Sequence, residues 1–234
     1  FYDASAQALR VAQRDEAGWR VETAAADALS VRWAARGLAL FLDSADRPAL
    51  AYQSLNSRQV VTVHFDGASW QQELIYAASQ AVDDGLAKAY DRDGAPALLF
   101  RAGQLFLARR LNGAWQTSSL PFTGEEPGLA FDAANRPHVS YGDGNRLMHA
   151  WQAGEAWQSE TAVDDSYQVR WTSLAMDAYD RPQIVYARFD DDWFDERTVS
   201  LRYARKVGGS WTKETVSMVD GPGYFNALLP GAAG

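Results

Sequence analysis

The sequence predicts an all-β fold: a five-bladed β-propeller built from four-stranded antiparallel blades. Three observations carry that prediction. A motif of Asp, then Pro five residues on, then an aromatic four further on recurs four times. Its members are Asp43, Pro48 and Tyr52; Asp91, Pro96 and Phe100; Asp132, Pro137 and Tyr141; and Asp177, Pro182 and Tyr186. A Trp following a turn-forming stretch recurs five times, as Trp19, Trp70, Trp115, Trp157 and Trp211, at spacings of 51, 45, 42 and 54 residues. Between these landmarks lie short strand-like runs with no long helical period. Four such runs in every ~40–50 residues is the pattern of a propeller blade.

Each unit is read as strands A to D, from the axis outwards. The runs LAMD, PQIVYA, LRYARK and WTKETV in 174–216 show the set in full. The recurrent Asp opens the A–B turn, where its carboxylate accepts from nearby backbone N–H groups. Pro closes that turn and sets φ as strand B begins. Gly67, Gly113, Gly154, Gly208 and Gly209 make the C–D hairpins. The Trp after each hairpin is expected to pack between neighbouring blades. An Asp in every blade is thus read as a turn residue, because a catalytic or metal-binding residue has no reason to recur in each one.

The two ends complement one another. YFNALLPGAAG (224–234) aligns with RWTSLAMDAYD (170–180) and supplies a strand A, whereas the N-terminal stretch starts inside a strand B, with Tyr2 at the Tyr186 position. The residues missing between them, matching 181 through 184, span roughly 13 Å of extended chain. A single propeller domain over 1–234 is therefore expected. Its first blade is completed by both termini (224–234 plus 1–24), followed by blades at 37–75, 85–120, 128–162 and 172–217. Phe1 is not an initiator residue, so the chain is expected to be mature, trimmed or part of a longer protein.

Composition narrows the function classes. A formal charge of -8 disfavours the phosphate backbone of nucleic acid and anionic membrane surfaces. No apolar run approaches the length of a membrane span, so no membrane insertion is expected. Cysteine is absent, which removes disulfides, thiolate metal sites and a Cys nucleophile. Oligomeric state is not specified by any of these features.

The combined pattern LAxDxxxRPxVxY followed by LxYAxxxGxWxxETV resembles the repeats of bacterial exported propellers related to the sialidase/Asp-box superfamily. The resemblance covers nearly the whole chain and implies the fold together with an extracellular or periplasmic location. The Asp-box order Ser/Thr-x-Asp-x-Gly-x-Thr-Trp does not occur, and the Asp-to-Trp spacing also departs from it. The five-blade count further resembles both five-bladed lectins and five-bladed glycosidases.

Function is expected on the face carrying the D–A and B–C connections, because variable loops on a rigid scaffold carry it. Two D–A connections share Val-Arg-Trp, as Val31-Arg32-Trp33 and Val169-Arg170-Trp171, and the aligned C-terminal copy has Phe225 and Asn226. A guanidinium beside an aromatic plate suits a carboxylated or hydroxylated ligand. The competing reading is that each Trp plugs the core and each Arg pairs with a loop acid. Tyr167 lies in the same connection as Arg170. The longest B–C loop, 187–200, sets Trp193 and Phe194 among five acids. Together Arg32, Trp33, Tyr167, Arg170, Trp171, Trp193, Phe194, Phe225 and Asn226 form the candidate ligand-binding set.

The same loops carry Asp27, Asp83, Asp84, Glu125, Glu126, Asp164, Asp165 and Asp220, read mainly as solvated carboxylates. Their spacing departs from the EF-hand pattern. No cofactor is expected, and Ca²⁺ is the metal these acids suit. His64, His138 and His149 are placed in strand-like runs of different blades, and no HExxH, P-loop or GxSxG element occurs. The first expectation is an exported module that binds a glycan or protein ligand. The alternatives are a glycoside hydrolase of sialidase-like or five-bladed type, with carboxylates at the channel mouth, and a structural or assembly domain of a larger protein. No motif selects a catalytic pair.

Overall fold

The computed structural model describes residues 1–26, 37–43, 45–54, 58–79, 85–189, 199–219 and 227–228. Among them are strands, turns and bends and no helix, so no helix is long and apolar enough to cross a membrane. The strands form five antiparallel sheets, each a run of sequence-adjacent strands. The first sheet holds β1 (Tyr2–Asp3), β2 (Ala8–Asp15) and β3 (Gly18–Ala25). The second holds β4 (Leu38–Leu42), β5 (Pro48–Ser54), β6 (Gln59–Phe65) and β7 (Trp70–Ala77). The third holds β8 (Leu86–Tyr90), β9 (Pro96–Ala102), β10 (Gln104–Leu111) and β11 (Ala114–Ser119). The fourth holds β12 (Glu125–Phe131), β13 (Pro137–Asp143), β14 (Arg146–Ala153) and β15 (Ala156–Asp164). The fifth holds β16 (Gln168–Met176), β17 (Pro182–Phe189), β18 (Val199–Val207) and β19 (Ser210–Val219).

The recurrent Asp makes the same turn four times. Asp43 Oδ1 accepts from the N–H of Ala45 and Arg47, Asp91 Oδ1 from Asp93 and Ala95, Asp132 Oδ1 from Ala134 and Arg136, and Asp177 Oδ1 from Tyr179 and Arg181. Three of these carboxylates also take an Arg Nε four residues on, at 2.6–2.7 Å. The residue before the closing position is left-handed each time: Asp46, Gly94, Asn135 and Asp180. Short polar residues and Gly tolerate that conformation, which explains the composition of the turn.

The core lies between sheets. Leu9, Val11, Leu50, Tyr52, Val61 and Val63 join the first sheet to the second. Phe41, Val60, Ile75, Leu98 and Phe100 join the second to the third. Leu99, Leu105, Leu129, Phe131 and Tyr141 join the third to the fourth, and Leu147, Val163, Val169, Ile184 and Tyr186 join the fourth to the fifth. Trp70, Trp115, Trp157 and Trp211 each pack against the cluster shared with the preceding sheet, as expected. Where the fourth and fifth sheets meet, Gly128 is required: an added Cβ would lie 2.6 Å from Ser140 Oγ and 2.8 Å from Leu174 N.

The first sheet differs from expectation in two respects. It has three strands among the described residues, and the strand A assigned to 224–234 lies outside them apart from Ala227 and Leu228. Its register also places Tyr2 opposite Leu9, whereas the fifth sheet places Ala187 opposite Leu201. Since Leu9 and Leu201 both stand ten residues before their Trp, Phe1 rather than Tyr2 occupies the Tyr186 position.

Candidate functional site

The strands β12 and β16 start with the same irregularity. Their registers shift between Glu125 and Gly128 and between Arg170 and Ser173, as in a β-bulge. Within each bulge one non-glycine residue is left-handed, Glu126 at φ 48° and Trp171 at φ 46°. That conformation costs an L-residue roughly 1–2 kcal/mol, and such costs concentrate at functional sites. The two bulges interlock. Trp171 N donates to Glu126 Oε2 at 2.9 Å, and Thr172 Oγ1 donates to the Glu126 carbonyl at 3.1 Å. Ser140 Oγ donates to Thr172 Oγ1 at 2.8 Å, and the Arg170 guanidinium pairs with Glu125.

Beside this interlock lie two aromatic groups. Trp171 and Phe189 pack with ring centroids 4.9 Å apart. Exposed Tyr167 presents its ring 4.8 Å from the Arg188 guanidinium. Arg188 is steered from below by buried Asp165, 3.5 Å from its Nη1. Burial pushes the Asp165 carboxyl upward. The Ser166 N–H, the Tyr186 hydroxyl at 3.0 Å, Lys213 and Arg188 outweigh it and hold the carboxyl below its ordinary range. Burial first, and then the Asp165 charge, drive the Tyr186 phenol well above its ordinary value. The B–C loop of the fourth sheet closes on this cluster through Val169 N to the Gly144 carbonyl at 2.9 Å and Asn145 Nδ2 to the Asp165 carbonyl at 2.8 Å.

Of the sequence-derived set, Tyr167, Arg170 and Trp171 come together here. Arg32, Trp33, Trp193, Phe194, Phe225 and Asn226 lie outside the described residues. Arg170 pairs with a loop acid, so the competing reading of the Val-Arg-Trp motif holds for its guanidinium. Trp171 is half-buried against Phe189. Sequence reasoning missed Arg188 and Phe189. The available signal was their place just beyond buried Tyr186, where strand B runs out towards its loop. Among the described residues no group of three or more His, Asp or Glu is placed to hold a metal.

A second polar constellation lies between the fourth and fifth sheets, and here the expected placement of the histidines needs correction. His138 on β13 and His149 on β14 are not in different blades but neighbours in one sheet, their rings stacked at 5.2 Å. The spacing of eleven residues across a hairpin hides this, because cross-strand proximity is set by register. A chain of close polar contacts runs from Asp132 Oδ2 to His138 Nε2 (3.3 Å), from His138 Nδ1 to His149 Nε2 (3.0 Å), and from His149 Nδ1 to Glu160 Oε1 (3.0 Å). Glu160 also accepts from Lys206 Nζ at 2.7 Å and from Trp211 Nε1 at 3.1 Å, both on the fifth sheet. Burial and the neighbouring His149 hold the His138 imidazole down at about 4, against the pull of Asp132. Burial also lowers His149. Glu160 is held at about 2: burial opposes this, but His149, Lys206 and Trp211 outweigh it.

Two neutral imidazoles bring two ring protons to three contacts. Protons between the two rings and between His149 and Glu160 fill both 3.0 Å contacts, leaving the longer 3.3 Å contact to Asp132 without one. The chain is a buried structural network that ties the two sheets together.

No family model matches the sequence, and no curated protein matches it. Solved structures do share its fold. A protein of unknown function from Dyadobacter fermentans superposes with a TM-score of 0.57 at 12% identity, covering 77% of this chain and 68% of that one. Aleuria aurantia lectin, a six-bladed β-propeller with a fucose recognition mode, superposes at 0.55 and 13% identity over 93% of this chain and 72% of that one. A GH43 glycoside hydrolase displaying endo-xylanase and exo-arabinofuranosidase activity gives 0.50 and 12% identity over 78% of this chain and 41% of that one. This chain thus spans less than half of the hydrolase. At these identities the likeness establishes the propeller-type fold.

Proposed function

We propose that this chain is a ligand-binding propeller that recognises a glycan at the loop-bearing end of its sheets. The observation that carries the reading is the exposed Tyr167 ring held against Arg188, beside the Trp171 and Phe189 pair. A flat aromatic face flanked by fixed polar groups is what a sugar ring needs: its C–H face stacks while hydroxyls find donors and acceptors. Support comes from the propeller neighbours, which include a fucose-recognising lectin and a glycoside hydrolase. In this reading the ring is five-bladed, of the sialidase-like kind, and works outside the bacterial cytoplasm.

A hydrolase needs a carboxyl held protonated near neutrality to act as general acid. The carboxyls that shift among the described residues, including Asp132, Glu160 and Asp165, all shift the other way. The loop acids Asp27, Asp83, Asp84 and Asp220 lie outside the described residues, so the binding reading rests on the aromatic face.

The test is an array of immobilised neutral and acidic oligosaccharides, probed with and without Ca²⁺. Saturable binding is expected. Tyr167→Ala and Trp171→Ala should weaken it at least tenfold while the melting temperature stays within a few degrees. Absence of binding in both conditions overturns the glycan reading and points to a protein ligand or a scaffold role.

A further inference from the structure

The first sheet has an uncovered side at the place where each later sheet meets the sheet before it. Four of the five recurrent Trp residues pack against a preceding sheet, whereas Trp19 on β3 is 70% exposed. Inner-strand residues show the same deficit. Leu129 and Phe131 on β12, and Leu174 and Met176 on β16, are 5–7% exposed with a preceding inner strand beside them, whereas on β8 the equivalent Tyr90 stays 42% exposed while its hydroxyl donates to the Leu42 carbonyl on β4. Their register equivalents on β4, Leu40 and Leu42, are each 47% exposed. The sheet before β4 is the first sheet, and it shows no inner strand among the described residues.

Charge repeats in the same frame. At two of the four junctions between described sheets, the Glu three residues after one Trp reaches the basic residue opposite the next Trp. Glu73 pairs with Arg110 at 3.0 Å, and Glu160 with Lys206 at 2.7 Å. Arg110 and Lys206 stand opposite Trp115 and Trp211 in their hairpins. In the first sheet Arg14 stands opposite Trp19. In the fifth, Glu214 follows Trp211 by three. Each is the missing partner of the other.

The remaining piece is Leu228, whose N–H donates to Ser173 Oγ on β16 at 2.9 Å. One junction earlier, the Cβ direction of Gly128 points at Leu174 N. Gly128 and Ser173 are equivalent, and so are Leu174 and Leu228 in the terminal alignment. Leu228 therefore sits beside β16 where the inner strand of a following sheet belongs.

We propose that the first sheet docks on the fifth sheet of the same chain, with Leu228 latched between β16 and β4, Trp19 buried at the junction, and Arg14 paired with Glu214. The inference rests on the five-bladed reading of the ring and is independent of the ligand. Burying a Trp and two Leu side chains supplies the apolar driving force, and the ion pair fixes register.

The chain has no cysteine, so a pair can be introduced cleanly. The Arg14→Cys/Glu214→Cys double variant is treated with a short bismaleimide, and Glu73→Cys/Arg110→Cys serves as the control at an existing junction. The expected result is an intramolecular crosslink in the monomer, with a yield within about twofold of the control, and a several-fold loss of it on adding Leu228→Asp. A second arm uses charge: Arg14→Glu and Glu214→Arg should each lower the melting temperature, and together should restore it. A crosslink in the control alone, or one joining two chains, overturns the proposal, as do strictly additive charge variants. Loss of oligosaccharide binding with the crosslink intact would count against the glycan reading alone.

Discussion

The two ends of each sheet are built on different terms. At the A–B turn end, four carboxylates make the same pair of backbone hydrogen bonds, and the left-handed positions go to Asp, Asn or Gly. At the loop end of the fourth and fifth sheets, the left-handed positions include, beside Gly144, Glu126 and Trp171, residues with no intrinsic liking for that backbone. The repeat stabilises one end cheaply and many times over. The other end carries strain, held in place by the interlocked bulges and by Asp165 beneath Arg188. A scaffold that is regular at one end lets the opposite end depart from regularity without losing the fold.

The largest effect is expected where an added side chain at the loop end would meet backbone. A Cβ on Gly142 would fall inside the van der Waals radius of the Val169 carbonyl oxygen, a backbone atom with little room to yield. Gly142→Ala is expected to cost about 3 kcal/mol or more. Gly154 is left-handed with open space around it, so Gly154→Ala should cost only about 1 kcal/mol. Urea titration of the two variants checks this, and equal midpoints would mean the close approach is not real.

The fourth and fifth sheets also differ inside. Where the fourth sheet pairs His138 with His149, the fifth donates Tyr203 Oη to Gln183 Oε1 at 2.7 Å. Only the histidine version carries side chains that titrate near neutrality in the unfolded chain. His138 takes its proton at about 6.5 when unfolded and at about 4 when folded. The unfolded chain thus binds the proton first. Stability is complete above the unfolded value and is lost as pH falls from about 6.5 towards 4, by roughly 3 kcal/mol. The groups facing the pair are Asp132, Arg136, Glu160 and Lys206, with the Trp151 and Trp211 rings against His149. Of these, Asp132 and Glu160 are held below their ordinary values, so their contributions fade only below about pH 4.5. Copying the fifth sheet, as His138→Gln with His149→Tyr, should flatten the melting temperature between pH 4.5 and 6.5. An unchanged slope would assign the acid sensitivity to another group.

Asp132 tests whether the turns differ by burial. It is 1% exposed and serves Ala134, Arg136 and His138 at once. Asp132→Ala removes the acceptor of the Ala134 and Arg136 N–H groups and of the Arg136 guanidinium, leaves a gap beside buried His138, and should cost about 2 kcal/mol. The same change at exposed Asp43 should cost clearly less by thermal unfolding. Equal losses would show that the backbone caps alone matter.

How much of this was legible in the sequence follows the same division. The turn Asp, the hairpin Gly and the interface Trp were readable because repetition averages away the individual residue and leaves the structural requirement. The pairing of Arg170 with Glu125, 45 residues apart, was not readable, since neither residue recurs with its partner in other units. The His138 and His149 contact was hidden by register. Arg188 and Phe189 fell just past the repeated motif, where strand B leaves the common pattern. The terminal alignment missed the register of Tyr2 by one residue, and the hydrogen bond from Leu228 to Ser173 was not readable from it.

The smallest effect isolates the strain itself. Glu126→Gly and Glu126→Ala both remove the carboxylate that accepts from Trp171 N, so both lose the same hydrogen bond. They differ in one respect: glycine takes φ 48° without a penalty, whereas alanine retains it. The glycine variant should therefore be the more stable by about 1 kcal/mol, measured as a difference between two urea midpoints. Part of that advantage is offset by the greater freedom of glycine in the unfolded chain, so a value at or slightly below this is the expected outcome. An alanine variant as stable as the glycine one would mean that the bulge relaxes once the side chain is gone. In that case the left-handed backbone is imposed by the Glu126 contacts and not by the meeting of β12 with β16.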